Sequence, residues 1–329
     1  MEIRNEELDI SIVIPVFNEE EVLPTLLAEL YRVCGSLKKR FEFIFVDDGS
    51  YDGTPEVLRT YADRDPRVKV LVFSRNFGHQ AALSAGINVA EGEMVVTMDS
   101  DLQHPPTLVP EFIAAAEAGA DIVIGQRILN AKNSYLREIA RKLFYRFLSF
   151  ATNLEFKNAS DFVLYKKQVI RVIRRMPEKE RFFRGIVQWI GFKKKYIPYA
   201  VEARRFGHSK YSMRRLLYFI ASGVTSFSAF PLRIALWIGA LIFLFSIGFS
   251  GYTVWDHYVN PDPLNTGNST IIILVLFLGG VQMLVLGITG EYLYRMFNEI
   301  KGRPLYIVAE MRNMDQVRMD AASQDINAM

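Results

Sequence analysis

The chain has 329 residues, enough for one large domain or two modest ones. Its 39 Lys and Arg against 36 Asp and Glu leave a formal charge of only +3, which argues against a nucleic-acid binder. Cys34 is the single cysteine, so a disulfide framework and a Cys-based zinc site are excluded.

Up to about Phe230 the chain reads as a soluble α/β protein. Met1 to Asp9 is polar and acidic, so no signal peptide is expected there. "ISIVIPVF" (Ile10 to Phe17) is a β-branched run stopped by Asn18. "EEEVLPTLLAELYRVC" follows, with Leu23, Leu26, Leu27 and Leu30 at helical spacing. "FEFIFVDDGS" (Phe41 to Ser50) predicts a second strand and "TPEVLRTYADR" a second helix. "VKVLVFS" and "GHQAALSAGINVA" repeat the pattern, and "EMVVTMDSD" is a fourth strand. "DIVIGQR" (Asp121 to Arg127) is a fifth, followed by the basic helix "YLREIARKLFYRFLSFA". Such alternation predicts a mostly parallel sheet with helices on both faces. Ligands of such sheets bind outside the carboxyl ends of the strands. Those ends carry Asn18-Glu19, Asp47-Asp48, Ser74-Arg75-Asn76 and Asp99 to Asp101.

Two apolar runs come later. Ile234 to Val254 holds no charge, and Ile271 to Gly290 has only Gln282 as a strongly polar residue. Each matches the roughly 20 residues that cross a bilayer core. Arg214, Arg215 and Arg233 precede the first run, and Arg295, Lys301 and Arg303 follow the second. The loop between them, Trp255 to Thr270, has no Lys or Arg, so it is expected to face away from the cytosol. Tyr211 to Phe230, basic early and aromatic throughout, reads as a helix lying along the membrane.

Asp99-Ser100-Asp101 is the densest chemistry in the chain. Carboxylates at i and i+2 on an extended strand point to one side. They could share a hard cation such as Mg²⁺ or Mn²⁺ beside substrate phosphates. Alone, the triplet is weak evidence and reads first as a turn or helix cap, since "SDLQHPP" has turn character. His79, His104, His208 and His257 have no metal-binding spacing, and His104 reads as a residue behind the site or on the surface. "SRNFGHQ" lacks the lysine of a phosphate-binding P-loop.

Taken in order, "SIVIPVFNEE", "VDDGSYDGT", "SRNFGHQAALSAG" and "MDSDLQHPP" resemble the catalytic domain of glycosyltransferase family 2, with its nucleotide-binding GT-A fold. "ASDF", "RFFRGIVQWIGF", "RRFGHSKYSMRRLL", the two apolar runs and "GEYLYRMFNEIKGRPLYIV" look like the polyprenyl-phosphate glycosyltransferases, which include dolichyl-phosphate mannose synthases and bacterial polyprenyl-phosphate glucosyltransferases. The resemblance runs from about Ile10 to Val308. Ser100 stands where Ala is commoner, and Ser160 where Gly is commoner; His208 stands in "GHSK" where "GESK" is commoner.

The resemblance implies roles. Pro15, Phe17 and Glu19 match the first nucleotide-contact segment, and Val46 and Asp48 the base and ribose contacts. Asp99, Ser100, Asp101 and Gln103 match the diphosphate–metal segment, with Asp99, Asp101 and Gln103 as the implied ligands of Mg²⁺ or Mn²⁺. Arg127, Arg204 and Lys210 match donor or phosphate contacts, and Arg137 and Arg141 the acceptor phosphate. Asp161 is expected to orient an arginine or the donor sugar, with general base as the lesser role.

The implied organisation is a cytosolic GT-A domain over residues 1–210, amphipathic juxtamembrane helices over 211–230 and spans over 231–255 and 270–292. A non-cytosolic loop over 256–269 joins the spans, and a cytosolic tail covers 293–329. The implied reaction is inverting transfer of a sugar, glucose first, from a UDP-sugar to undecaprenyl or dolichyl phosphate in a prokaryotic plasma membrane. GDP-mannose, UDP-GlcNAc and UDP-aminoarabinose stay open as donors, as does a non-catalytic lipid-carrier subunit. A homo-oligomer is expected, and nucleic acid is not. A processive polysaccharide synthase is disfavoured, because "VQWIG" does not supply Q-x-x-R-W.

Overall fold

The computed structural model describes residues 8–128, 159–178, 181–200, 230–259 and 268–314. The chain divides into two compact units: residues 1–149, 154–212 and 304–329 form the first, and 150–153 and 213–303 the second.

The first unit is built on an eight-stranded sheet. Its strands are β1 (Ile10–Val16), β2 (Phe41–Asp47), β3 (Val68–Phe73), β4 (Met94–Thr97), β5 (Ile122–Ile128), β6 (Ala159–Lys166), β7 (Lys194–Ala200) and β8 (Val308–Arg312). Their spatial order is β7-β5-β6-β4-β1-β2-β3-β8. The β1–β2, β1–β4, β2–β3 and β5–β7 pairs are parallel, while β6 runs antiparallel to β4 and β5, and β8 to β3. The mostly parallel sheet expected from the strand–helix alternation is therefore present.

Every residue of β1 and β2 is buried, as expected of central strands covered on both faces. Five helices follow or link these strands: α1 (Leu23–Gly35), α2 (Thr54–Arg64), α3 (His79–Val89), α4 (Val109–Glu117) and α5 (Lys167–Arg174). α6 (Phe183–Trp189) precedes β7. In α1 the predicted Leu23, Leu26, Leu27 and Leu30 are all fully buried. Each such side chain contributes about 1.5–3 kcal/mol of burial free energy, so this stripe, not helix propensity, holds α1 on the sheet. α3 packs still closer: a Cβ on Gly86 would overlap Val13 of β1.

Two features went unread in the sequence. "FVLYK" is the body of β6, so Asp161 lies inside a strand. β8 brings a segment beyond the second apolar run back into the catalytic sheet.

The second unit contains two helices, α7 (Phe230–Val259) and α8 (Asn268–Ile300), of 30 and 33 residues. At about 1.5 Å per residue each exceeds the roughly 30 Å hydrocarbon core of a bilayer. Their apolar side chains face outward: Trp237 is 74% and Met283 72% exposed. Among the described residues, one stretch, Leu232–Phe249, is long and apolar enough to cross a membrane. The expected amphipathic segment 211–230 lies outside the described residues apart from its last position, as does most of the expected loop.

Candidate functional site

The strand ends gather as the alternating pattern predicts. Pro15 and Val46 stand opposite each other in the β1–β2 register and are buried, so their side chains shape the floor and offer no polar group. Beyond β1 the backbone turns sharply, with Asn18 at φ 54°. Its N–H donates to Ser50 Oγ at 2.8 Å, and its Oδ1 accepts from Tyr51 N–H at 3.0 Å. Glu19 N–H donates to Thr54 Oγ1 at 2.9 Å. Phe17 meets the exposed Tyr51 ring edge to face at 5.8 Å. Gly49, at φ +70°, turns the chain where any Cβ would overlap the Arg75 backbone.

Asp48 braces the next loop. Its Oδ1 accepts from Phe77 N–H at 2.7 Å, and its Oδ2 from Gly78 N–H at 3.0 Å. Asp47, fully buried, accepts from Ser50 N–H at 3.1 Å through Oδ1. Burial raises the pKa of both carboxyls, and the hydrogen bonds oppose that shift.

The richest cluster surrounds Asp99, just beyond β4. His79 Nε2, at the first residue of α3, lies 2.9 Å from Asp99 Oδ1. His104 Nε2 lies 3.5 Å and Arg127 Nη2 3.8 Å from Oδ2. Burial alone would raise the Asp99 pKa, but His104, His79 and Arg127 outweigh it and hold the carboxyl well below its usual range. His104 itself is fully buried, and desolvation pushes its pKa down. His79 moves the other way: desolvation is outweighed by the Asp99 hydrogen bond and charge.

Asp101 turns on itself, its Oδ1 accepting from Gln103 N–H at 3.1 Å. Between them Leu102 takes φ 60°, a left-handed conformation costing a non-glycine residue about 1–2 kcal/mol. Such local strain collects at functional turns. Ser100 is buried at this turn. Arg127 Nε donates to Tyr199 Oη at 3.2 Å, which braces the guanidinium between β5 and β7.

Asp161, on β6, is 7% exposed and joined to Arg184 of α6 by two bonds: Nε to Oδ1 at 3.0 Å and Nη2 to Oδ2 at 2.6 Å. Burial would raise its pKa; Arg184 reverses this and holds it low. Both oxygens of this carboxylate are thus engaged by one cation, which makes it a poor proton acceptor.

The structure brings together Asp48, Asp99, Asp101, Gln103, Arg127 and Asp161 at one edge of the sheet. Arg137, Arg141, Arg204 and Lys210 lie outside the described residues. Arg184, His79, His104 and Tyr199 were not singled out as site residues in the sequence. The signal for Arg184 was "RFFRGIVQWIGF", whose individual residues carried no assigned role.

The Glycosyl transferase family 2 profile matches residues 11–181, and the GtrB C-terminal hairpin profile matches 230–296. A glycosyltransferase of Bacillus subtilis (strain 168), described as uncharacterised, is 37% identical over 314 residues, covering 94% of this chain and 96% of that protein. The bactoprenol glucosyl transferase of Shigella phage SfII is 35% identical over 302 residues, covering 92% and 97%. Glucosyl-3-phosphoglycerate synthase from Mycobacterium tuberculosis, solved with Mn²⁺, UDP-glucose and phosphoglyceric acid, superposes with a TM-score of 0.50. It is 18% identical, with 66% of this chain and 78% of that one covered, a likeness of fold.

Proposed function

We propose a function that proceeds from family: the chain belongs to glycosyltransferase family 2, and it transfers glucose from a UDP-sugar to a polyprenyl phosphate. The observation that carries this is the similarity to bactoprenol glucosyl transferases over nine-tenths of the chain, hairpin included. A shared catalytic domain alone would support only the family.

The chemistry asks little of the protein as a base. A phosphate monoester has a second pKa near 6, so at pH 7 the acceptor is mostly dianionic and already nucleophilic. Its attack on the anomeric carbon, with the diphosphate leaving from the opposite side, inverts that carbon in one displacement. Asp161, held by Arg184, orients that arginine and takes no proton. Arg127 supplies a braced guanidinium at the edge where the diphosphate would lie. Arg204 and Lys210 are assigned to the donor, and Arg137 and Arg141 to the acceptor phosphate, because two anions must be brought together.

The donor set suits a hard cation. Among the described residues, no group of three or more His, Cys, Asp or Glu could hold an ion unaided. A carboxylate and an amide oxygen, from Asp101 and Gln103, fit Mg²⁺ or Mn²⁺ taking its other ligands from phosphate and water. Asp99 is a weaker third candidate, since His79, His104 and Arg127 already surround it. When bound, the ion would offset charge growing on the leaving diphosphate.

The hairpin is read as two membrane spans. The chain enters α7 from the catalytic unit and returns after α8 to form β8 of the same sheet. Both ends therefore lie on one side of any bilayer, and the number of crossings between them is even. Lys and Arg flanking the apolar runs put that side in the cytosol. The plasma membrane of a prokaryote and a homo-oligomer complete the reading.

The test is purified full-length protein with undecaprenyl phosphate and, in turn, UDP-glucose, UDP-GlcNAc, UDP-aminoarabinose and GDP-mannose. Mass spectrometry should find a hexosyl lipid with UDP-glucose. Product with none of the donors would overturn the reading.

A further inference from the structure

Two imidazoles near the strand-end carboxylates have no part in the chemistry above, and both hold Asp99. The Asp99 backbone N–H donates to His104 Nδ1 at 2.9 Å. A backbone amide only donates, so Nδ1 is the acceptor in this bond. Nε2 is the atom 3.5 Å from Asp99 Oδ2. One ring thus holds the backbone of Asp99 and stands beside its carboxylate.

The ring is itself fixed. It lies nearly parallel to Phe162, with centroids 5.1 Å and planes 12° apart, and meets Tyr199 edge to face at 6.1 Å. Its Nε2 also lies 3.0 Å from Arg127 Nη2, and the same guanidinium nitrogen stands 3.8 Å from Asp99 Oδ2.

His79 secures the other oxygen. Phe183 N–H donates to Gln80 Oε1 at 3.1 Å, and Gln80 Nε2 lies 3.3 Å from His79 Nδ1. With Gln80 donating, His79 presents Nε2–H to Asp99 Oδ1, 2.9 Å away. Asp99 Oδ1 therefore faces a ring N–H, while Oδ2 lies beside His104 and the Arg127 guanidinium. A divalent cation seated on those oxygens would sit beside that fixed positive charge and be repelled.

We propose that His104 is a positioning residue for sugar transfer: it fixes the backbone of Asp99 and stands with Arg127 against its carboxylate, so that Asp99 serves the donor as a fixed hydrogen-bond acceptor and not as a ligand of the divalent cation. This rests on the reading of the chain as a UDP-sugar transferase.

Three substitutions separate the two contacts. His104→Asn places an amide oxygen near Nδ1 and keeps an acceptor for the Asp99 N–H. His104→Gln reaches the position of Nε2 and loses that acceptor. His104→Phe keeps the stack on Phe162 and loses both nitrogens. With full-length protein, undecaprenyl phosphate and UDP-glucose, His104→Phe should lower kcat by about 100-fold, the scale of an ångström's misplacement. Its KM for the lipid should hold, and His104→Asn should recover most of the rate while His104→Gln does not.

The second readout needs no turnover. Free Mn²⁺ is titrated by electron paramagnetic resonance against each protein with UDP present. Asp101→Asn should weaken Mn²⁺ binding at least 10-fold, while Asp99→Asn and His104→Phe leave it within about 2-fold, the latter also showing that the variant is folded. Wild-type turnover in His104→Phe, or equal rates in the Asn and Gln variants, would overturn the proposal. So would Asp99→Asn weakening Mn²⁺ as much as Asp101→Asn. Failure of the functional reading looks different: the unmutated protein then makes no lipid-linked sugar, whatever the Mn²⁺ titrations give.

Discussion

Asp161 and Arg184 form the most consequential single pair at the site. Their side chains are 7% and 24% exposed, so neither charge is well solvated. Removing Arg184 leaves the Asp161 carboxylate buried without its cation, which costs about 3–5 kcal/mol. Arg184→Met should therefore lower the stability of the catalytic unit by that order, measured by chemical denaturation. The pH dependence follows from the depressed Asp161 pKa. The unfolded carboxyl, with a pKa of about 3.9, binds a proton more readily than the folded one. The pair's contribution is thus complete above that value and is lost as pH falls through the lower folded pKa. In Arg184→Met the acid side of the stability curve should be flatter below about pH 4; an unchanged slope would refute the assignment. The pair was only half legible in the sequence. Asp161 stood in a recognisable motif, but its partner comes from a helix beyond β6. His104 was less legible still. Gln-His-Pro-Pro has the composition of a turn, and a turn histidine is ordinarily solvated. What buries this ring is Phe162 on β6 and Tyr199 on β7, distant in the chain.

Among the elements, β8 is one the sequence did not announce. It is five residues long, follows a long helix and sits at the sheet edge, where exposure alternates and no continuous apolar run is required. Two kinds of contact fasten it. Arg59 forms three hydrogen bonds to Glu310, at 2.8–3.1 Å. Just before the strand, Tyr306 stacks on Phe73 with centroids 5.0 Å and planes 10° apart, and its hydroxyl lies 3.3 Å from Asn88 Nδ2. The ion pair is a third exposed on the Arg59 side, so solvent screens it, and its loss costs about 1 kcal/mol or less. The ring excludes water from Phe73, and truncating it should cost about 3 kcal/mol. Tyr306→Ala is therefore expected to lower the unfolding midpoint of the catalytic unit well beyond Glu310→Ala. Comparable effects would mean that the ion pair, not the ring, anchors the strand. The central strands were legible for the opposite reason: β1 and β2 are buried on both faces, and only unbroken β-branched and aromatic runs satisfy that.

At the scale of the molecule, β8 constrains topology more tightly than hydropathy does. A lone crossing would leave the segment beyond α8 across the bilayer from β3, and the β3–β8 ladder could not form. Two arrangements survive: both helices span, or neither does. Length and surface favour spanning, since α7 and α8 run 30 and 33 residues and present side chains such as Trp237 and Met283 outward. The polar positions divide accordingly. Arg233 precedes the first apolar run and Arg295 and Lys301 follow the second, while Asp256 stands near the end of α7, inside the expected loop's bounds, and Asp262 lies between the two helices in sequence. Asp262→Cys should then react with a membrane-impermeant maleimide in intact cells, while Lys301→Cys should react only after permeabilisation. Cys34 is buried, and burial pushes its thiol pKa up to about 12, so it adds little background. Labelling of both positions from the same side would mean that the hairpin lies on the membrane without crossing it. The polyprenyl acceptor would then have to be drawn partly out of the bilayer to be glycosylated, at about 0.8 kcal/mol for each exposed CH₂. That cost rises with every isoprene unit, whereas a spanning hairpin keeps the acceptor's phosphate at the interface and its tail in lipid.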